Sequence, residues 1–280
     1  MTKMGTGSER AFFFSGSNYR KLFGLLFVPH RINAHQTGIV YCHPFSEENN
    51  MSHAIAVKAC RAIQRLGYPV LRFDMSGCGD SAGDLDEITV QSWMEDICKA
   101  IEVVKRETGV KRAALFGLRL GGGLALLHAH KDTSTPFVIL WEPVLDFAVY
   151  IRQFLRRAVA SQIASNARNR VSVGILEKQL IDEGKVSVIG YPISKALFDS
   201  FLAVGGQPMS TRPKGASLVV SVSQAEKPSM QLIRYNDFLR SVRSSTTVKH
   251  VRAEPFWDRY WRWDCPEAIQ STTQWLADMA

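Results

Sequence analysis

Residues Gly117 to Gly121 read Gly-Leu-Arg-Leu-Gly and join an apolar stretch to one rich in alanine and leucine. This is the spacing of a G-x-S-x-G turn, in which a strand turns sharply into a helix and exposes a nucleophilic serine. Arg119 occupies the serine position. A guanidinium, whose pKa lies above about 12, is neither a nucleophile nor a base in water. The turn therefore serves a different chemistry, or the nucleophile lies elsewhere.

The two other members of a Ser-His-acid triad are also altered. The base should follow the last strand, where the residues read Ala253-Glu254-Pro255-Phe256-Trp257, with Pro255 at the expected histidine position. The acid should follow the preceding strand, where Glu226 is the candidate. A triad needs a nucleophile, a base and an acid that orients the base. Because two of these three are missing, we expect a degenerate triad without conventional serine hydrolysis.

Arginine at such a turn suits a negatively charged group. The first N–H groups of a helix are unpaired and carry partial positive charge, which favours an anion. Arg119 adds a full charge and a planar set of donors that matches a carboxylate, phosphate or sulfate. An internal partner is also available, because Glu142 ends the next strand. Ligand binding and pairing with Glu142 both remain open, and they coexist if a ligand competes for Arg119.

The loop His43-Pro44-Phe45 has the features of an oxyanion-binding loop. Loops of this kind lend a backbone N–H to the developing negative charge in esterases. Pro44 has no N–H, so Phe45 or, as the alternative, Ser46 is the predicted donor, and Leu120 supplies the second N–H from the start of the next helix. Two roles are possible for His43. Its ring forms hydrogen bonds with backbone groups at the end of the strand, or it acts as the base of an unconventional site.

Cys78 provides an alternative nucleophile. It lies in the glycine-rich loop 73–81, which follows a strand expected to neighbour the one that ends before His43. A histidine beside a cysteine activates the sulfur, so Cys78 and His43 form the alternative catalytic pair. In that hypothesis Arg119 stabilises the oxyanion or holds a substrate carboxylate. No cysteine-hydrolase motif accompanies Cys78.

Aromatic residues follow the last predicted strand. Phe256 and Trp257 are predicted to line an apolar pocket beside Arg119, although aromatic side chains also pack in cores. Arg119, Glu142, Phe256 and Trp257 are therefore the predicted ligand-binding residues.

The elements that position these residues follow from the hydrophobic pattern. Short apolar strands alternate with amphipathic helices up to about residue 145, which predicts a parallel sheet covered by helices on both faces. The alternation stops over 146–212, where helical patterns dominate, and resumes afterwards. We therefore predict an α/β core built from 1–145 and 213–280, with a helical cap inserted at 146–212.

The composition fits this arrangement. The 280 residues include 46% hydrophobic and 21% charged residues, as expected of one α/β domain with an insertion. No apolar run reaches the roughly 18 residues of a membrane span, and the N-terminus lacks the apolar segment of a signal peptide. Five cysteines without metal-ligand spacing predict reduced thiols in a cytoplasmic protein that needs no metal or cofactor.

The net charge of +8 is partly concentrated in the predicted cap. We predict a solvated helix face there, with docking of a protein partner or an anion as the alternative. No nucleic-acid-binding motif accompanies the charge, so we expect no nucleic acid partner. The arginines of this segment are Arg152, Arg156, Arg157, Arg168 and Arg170.

The order of elements resembles the α/β-hydrolase fold and, more narrowly, the exosortase A system-associated hydrolase family. The shared motifs are HPFSEENN, LRFDMSGCGDSAGD, GLRLGG, WEPVLDF, YIRQFLRR, GYPIS and PFW, which span roughly residues 10 to 278. The resemblance implies a mostly parallel eight-stranded sheet and an elbow that carries arginine throughout the family. It also implies a role in bacterial exopolysaccharide production, with an anionic or acyl small molecule as ligand. An active ester or thioester hydrolase or acyltransferase and a partner-docking scaffold are the alternatives.

Overall fold

The computed structural model describes residues 7–164, 172–261 and 264–279. Eight strands form one sheet in the order β1-β2-β4-β3-β5-β6-β9-β10, and two more form a separate hairpin. β2 is antiparallel to both β1 and β4, and all other neighbours in the large sheet are parallel. This confirms the predicted α/β-hydrolase architecture. The strands are β1 (Ser8–Ser15), β2 (Lys21–Val28), β3 (Thr37–Cys42), β4 (Val70–Phe73), β5 (Arg112–Leu118), β6 (Phe137–Trp141), β7 (Lys185–Val188), β8 (Tyr191–Ser194), β9 (Ala216–Ser223) and β10 (Thr246–Arg252).

The helix over Val90–Thr108, α2, begins and ends at ordinary capping residues. Thr89 and Ser92 form a capping box at the start of α2, and Gly109 ends that helix with a φ of +73°. The helices are α1 (Glu47–Arg65), α2 (Val90–Thr108), α3 (Leu120–Lys131), α4 (Phe147–Ala164), α5 (Val173–Glu183), α6 (Lys195–Val204), α7 (Met230–Ser241) and α8 (Pro266–Asp278). Within the described ranges, no helix has both the length and the hydropathy that crossing a bilayer requires.

The sheet is buried on both faces. Leu115 of β5 packs into the cluster formed with α2 and α3, whereas Phe116 packs into the opposite cluster, with α1 and α8. Successive side chains of a strand point to opposite faces, so a strand covered on both sides is apolar at every position. This explains the continuous apolar runs of the sequence, and it leaves the carboxyl ends of β3, β5 and β6 to carry polar residues.

The insertion between β6 and β9 is only partly helical. It contains α4, α5 and α6, but also the antiparallel hairpin of β7 and β8. Ile189 and Gly190 form its turn with φ values of +52° and +85°. Val186, Val188 and Ile193 are buried in the cluster beneath it. Besides the helices that the sequence indicated, the insertion at 146–212 thus contains a hairpin at 185–194. The sequence did not indicate this hairpin, because strands of four residues are too short for a period-two pattern to stand out.

Candidate functional site

The turn between β5 and α3 has the strained geometry of a nucleophile elbow. Arg119 has a φ of +53° and a ψ of −118°, and its N–H donates to the carbonyl of Trp141 at 3.0 Å. A Cβ on Gly121 would overlap the carbonyl oxygen of Cys42, so the helix can start here only with glycine. The backbone therefore keeps the conformation that exposes a nucleophile, and it presents Arg119 at that point.

The Arg119 side chain lies among charged and aromatic groups. Its Nε is 3.5 Å from Oε2 of Glu48, and its guanidinium carbon lies 5.2 Å from the ring centre of Trp257 and 5.9 Å from that of Tyr150. Its Nη1 makes a long contact of 3.4 Å with the carbonyl of Glu142. The separation from Glu48 is that of an ion pair, and the Nε proton has no hydrogen-bond acceptor among the described residues. Arg119 is thus held by charge and by ring faces.

Glu48 is the centre of the site. Its side chain is 1% exposed, on the first turn of α1, where it faces two arginines. Besides the Arg119 contact, Oε1 lies 3.3 Å from Nη2 of Arg157, and Oε2 accepts the hydroxyl of Tyr150 at 3.0 Å. Glu48 was not among the predicted site residues. Glu48 lies at the start of a helix, just after the His43 loop. A carboxylate at such a position is as typical of simple stabilisation of the helix dipole as of a functional site.

The environment keeps these groups in defined charge states. Burial alone would lower the pKa of Arg119, but Glu48, Tyr150 and Glu142 raise it above its ordinary value. Burial and the charge of Glu48 raise the pKa of Tyr150. Arg119 is therefore a fixed cation, and Tyr150 is a neutral hydroxyl that donates to Glu48.

A cavity of about 30 Å³ lies beside these groups, with room for one or two water molecules or a small headgroup. Four of its six lining residues belong to α4. The lining residues are Glu48, Arg119, Tyr150, Gln153, Phe154 and Arg157.

Glu142 is not the ion-pair partner that the sequence indicated. Its carboxylate accepts the N–H of Val222 at 2.8 Å, and Arg119 reaches only its backbone carbonyl. Burial raises the pKa of Glu142, against the lowering effects of the Val222 N–H and of Arg119. The expectation of an Arg119–Glu142 ion pair is corrected to an Arg119–Glu48 pair, since the Glu142 carboxylate is turned toward β9.

His43 has both ring nitrogens in hydrogen bonds. Nδ1–H donates to the carbonyl of Pro44 at 2.6 Å, and Nε2 accepts the N–H of Met75 at 3.0 Å. Burial lowers the pKa of His43, against the opposing effect of Asp74. The ring is a neutral link between the loops after β3 and β4, which is the first of the two roles that the sequence left open. The described contacts place no group of the Arg119 cavity against it.

Cys78 is half-buried in the loop after β4. Burial raises the pKa of its thiol to about 12, and Asp74 and Asp96 act in the same direction. A protonated thiol needs a base to become a nucleophile, and His43 cannot act as that base because both of its ring nitrogens are already bonded. The geometry therefore gives the alternative Cys78–His43 pair no activation.

The predicted oxyanion donors occupy the expected places in the chain. Leu120 is the first residue of α3, and its N–H donates to no backbone acceptor among the described residues. Phe45 precedes α1, and its buried ring packs against Trp93, Phe154 and Phe201. Their role as an oxyanion hole stays a prediction.

The loop after β10 brings an aromatic ring, rather than an imidazole, to Arg119. Pro255 begins a short 3₁₀ turn over Phe256–Asp258, and this turn carries Trp257 to the guanidinium. Phe256 is instead buried against Trp141, with ring centres 6.0 Å apart, so it belongs to the core and does not line the cavity. Glu226 is exposed in the loop after β9, without a described hydrogen bond or ion pair.

The arginines of the predicted cap segment differ in their contacts. Arg152 pairs with Glu177 at 2.9 Å, and Arg157 turns inward to Glu48. Arg156 is exposed. Arg168 and Arg170 lie outside the described residues. Docking of a partner on this segment stays a prediction, with one described arginine directed to solvent.

Comparisons with known proteins locate the chain among hydrolases. A family profile described as serine aminopeptidase, S33 (Hydrolase_4) matches residues 34–280. The mitochondrial palmitoyl-protein thioesterase ABHD10 of Bos taurus is 32% identical over 100 residues, which cover 35% of this chain and 30% of that protein. Its Mus musculus counterpart is 34% identical over 100 residues, covering 35% and 31%. The match thus spans about three tenths of the length of these relatives.

Solved structures share the fold over nearly the full chain. Est1E of Butyrivibrio proteoclasticus, with ferulic acid bound, has a TM-score of 0.67 at 15% identity and covers 96% of this chain and 98% of its own. Mouse ABHD10 has a TM-score of 0.62 at 16% identity, covering 96% and 98%. At these identities the likeness shows the fold alone. Since the family profile extends over most of the chain, the chain belongs to the serine aminopeptidase S33 family of α/β hydrolases.

Proposed function

We propose that the cleft at the elbow binds the anionic headgroup of an acyl or other small-molecule ligand, and that the chain acts through this binding rather than through serine hydrolysis. The observation that carries the proposal is the shared carboxylate: Arg119 and Arg157 both pair with Glu48. No second carboxylate lies within ion-pair distance of either guanidinium in the described part of the chain. Two guanidinium cations face one carboxylate, so the cleft carries an excess positive charge that attracts a negatively charged ligand.

The unsatisfied donor supports the same conclusion. The Arg119 Nε proton makes no hydrogen bond of good geometry among the described residues, since Oε2 of Glu48 lies 3.5 Å away, and Arg119 is the N-cap residue at the positive end of α3. Buried donors without partners carry a free-energy cost of about 1–3 kcal/mol. A carboxylate or phosphate oxygen that accepts this proton removes that cost. The ligand anion binds either beside the Glu48 carboxylate or in its place.

The residues at the predicted nucleophile and base positions also favour binding over serine-type chemistry. The guanidinium at the nucleophile position keeps its proton, and Trp257 lies against it where a base would act. The cavity of about 30 Å³ admits a headgroup, and Phe154 provides its apolar wall. The resemblance to exosortase A system-associated hydrolases adds a setting to the proposal, namely bacterial exopolysaccharide production.

The test measures anion binding by thermal stabilisation and calorimetric titration. The probes are acetate, octanoate and inorganic phosphate, each titrated into wild-type protein, Arg119→Gln and Arg157→Gln. We expect the wild type to be stabilised by at least one probe, and Arg119→Gln to lose tenfold or more of its affinity, because each charged hydrogen bond contributes about 1.5–3 kcal/mol. A longer alkyl chain that binds more tightly would identify an acyl ligand.

Arg156→Gln is the matched control, since Arg156 lies on the same helix but is exposed. It should bind each anion as the wild type does. Equal stabilisation of wild type and Arg119→Gln by every probe, or none in either, would contradict the proposal.

Thioester or ester hydrolysis is the second candidate, favoured by the relatives named as palmitoyl-protein thioesterases. It uses Arg119 for the oxyanion or a substrate carboxylate and His43 as base, with water or Cys78 attacking. The test is turnover of chromogenic esters and thioesters by wild type, Arg119→Ala and His43→Ala. Turnover that disappears in both variants would favour this candidate over binding, whereas identical background rates in all three proteins would count against it.

A further inference from the structure

A second polar cluster lies away from the elbow, where α2 packs against the end of α3. Sγ of Cys98 is 3.8 Å from Nδ1 of His128, and Nε2 of the same ring is 3.4 Å from Oδ2 of Asp132. Cys98 is exposed, whereas His128 is 8% exposed. The imidazole is therefore fixed by its surroundings while the sulfur remains accessible to solutes.

The orientation of the ring is that of an acid–base–nucleophile series. One nitrogen faces the sulfur, and the other faces a carboxylate that can hold its proton. Nε2 makes no hydrogen bond of good geometry within the described residues, so Asp132 acts on it mainly by charge. From this arrangement we propose that Cys98 is a reactive thiol that exchanges with small organic disulfides, with His128 as its base and Asp132 as a positioning residue.

The exchange needs no further reactant. The Sγ proton passes to Nδ1 of His128, and Sγ attacks one sulfur of the small disulfide. A bond forms between the two sulfurs as the original disulfide bond breaks. The leaving thiolate takes the proton back from the imidazolium, so the products are a mixed disulfide on Cys98 and one free small thiol.

The charges around the pair make the base necessary. Burial raises the pKa of Cys98, and three carboxylates act in the same direction while one lysine opposes them. Burial and the charges of two lysines lower the pKa of His128, whereas the carboxylate of Asp132 raises it. The thiol is thus protonated and the imidazole neutral near pH 7. The charged groups concerned are Glu95, Lys99, Glu102 and Lys105 on α2, and Lys131 and Asp132 at the end of α3.

The other cysteines do not compete in the folded protein. Cys42, Cys60 and Cys265 are buried, and Cys78 is half-buried. Cys98 is the exposed member of the five. One fast-reacting thiol is therefore expected per chain.

The test follows the reaction of the native protein with an aromatic disulfide that releases a coloured thiolate, from pH 6 to pH 10. Wild type should show one fast thiol, which Cys98→Ser removes. His128→Gln should react about tenfold more slowly at pH 7, below the 10²–10⁴ of a fully enclosed base. At pH 10 the two rates should converge, because the thiolate then forms without help.

His130→Gln is the matched control, since His130 lies on the same helix with Nδ1 bonded to the carbonyl of Arg212. Equal rates for His128→Gln and His130→Gln at pH 7 would overturn the proposal, as would fast labelling that survives in Cys98→Ser. If His128→Gln unfolds and exposes all five thiols, the wild-type pH profile decides. A profile that follows a single thiol ionisation would then overturn it.

Discussion

The two ends of α3 carry polar groups of opposite character. At its start, Arg119 and Glu48 are charged and enclosed in the cleft under α4. At its end, the buried, neutral imidazole of His128 lies beside the exposed thiol of Cys98. The helix dipole favours an anion at the first position and a protonated histidine at the second. The same helix thus supports an anion site at one end and a proton acceptor at the other.

The difference lies in what holds each group. A buried carboxylate between two guanidiniums is required by the fold, because removing it leaves charges without partners. A carboxylate at the surface is screened by water and contributes little to stability, but it still influences a nearby pKa. We therefore expect changes at the start of α3 to alter stability and changes at its end to alter reactivity.

The largest effect is expected from Glu48→Gln. The amide keeps the shape of the side chain but leaves Arg119 and Arg157 without a counter-ion. Breaking a fully buried pair reduces the free energy of unfolding by 3–5 kcal/mol. Because the two arginine side chains are 20% and 34% exposed, we expect about 2–3 kcal/mol. Urea unfolding at pH 7 measures it.

Glu47→Gln is the control for that change, since Glu47 precedes Glu48 on α1 but is only half-buried. It should alter the free energy of unfolding by no more than about 0.5 kcal/mol. Phosphate should restore part of the stability of Glu48→Gln if it occupies the place of the lost carboxylate. A Glu48→Gln protein as stable as Glu47→Gln would mean that the pair does not hold the cleft together.

The architecture was predictable because it depends on patterns that extend over many residues. β5, α3 and β6 each have a clear period or a continuous apolar run, and their order decides the sheet. The short hairpin at 185–194 was missed, because four-residue strands contain too few repeats to reveal a period.

The sites were less predictable because they combine distant parts of the chain. The elbow follows from five consecutive residues, so Arg119 was found. Glu48 is 71 residues before Arg119, and Cys98 is 30 residues before His128. Such pairs have no local spacing that marks them. Glu142 was the nearest carboxylate along the sheet, but the direction of its side chain is decided by the Val222 N–H.

Glu142→Gln is expected to have a smaller effect that depends on pH. Burial raises the pKa of Glu142 above its usual 4.5, so the native state holds the proton more tightly than the unfolded state. Wild-type stability therefore falls as pH rises above 4.5, through the native pKa, and the loss is complete above it. Glutamine still accepts the Val222 N–H and cannot ionise, so the free energy of unfolding of the variant should rise relative to that of the wild type between pH 4 and pH 8. Unfolding free energies at both pH values check this, and an unchanged difference would refute it.

The smallest stability effect is expected from Asp132→Asn, at the opposite end of α3. Asp132 accepts the N–H of Ser134 at 2.8 Å, which asparagine can also do, and its side chain is 35% exposed. The free energy of unfolding should change by less than about 1 kcal/mol. The pKa of His128 should nevertheless fall, because the carboxylate that stabilises its protonated form is gone. Imidazole titration by NMR measures that pKa, with His130 as an internal reference. An unchanged His128 pKa would show that Asp132 only caps the turn after α3, and the contrast between the two ends would then depend on Cys98 and His128 alone.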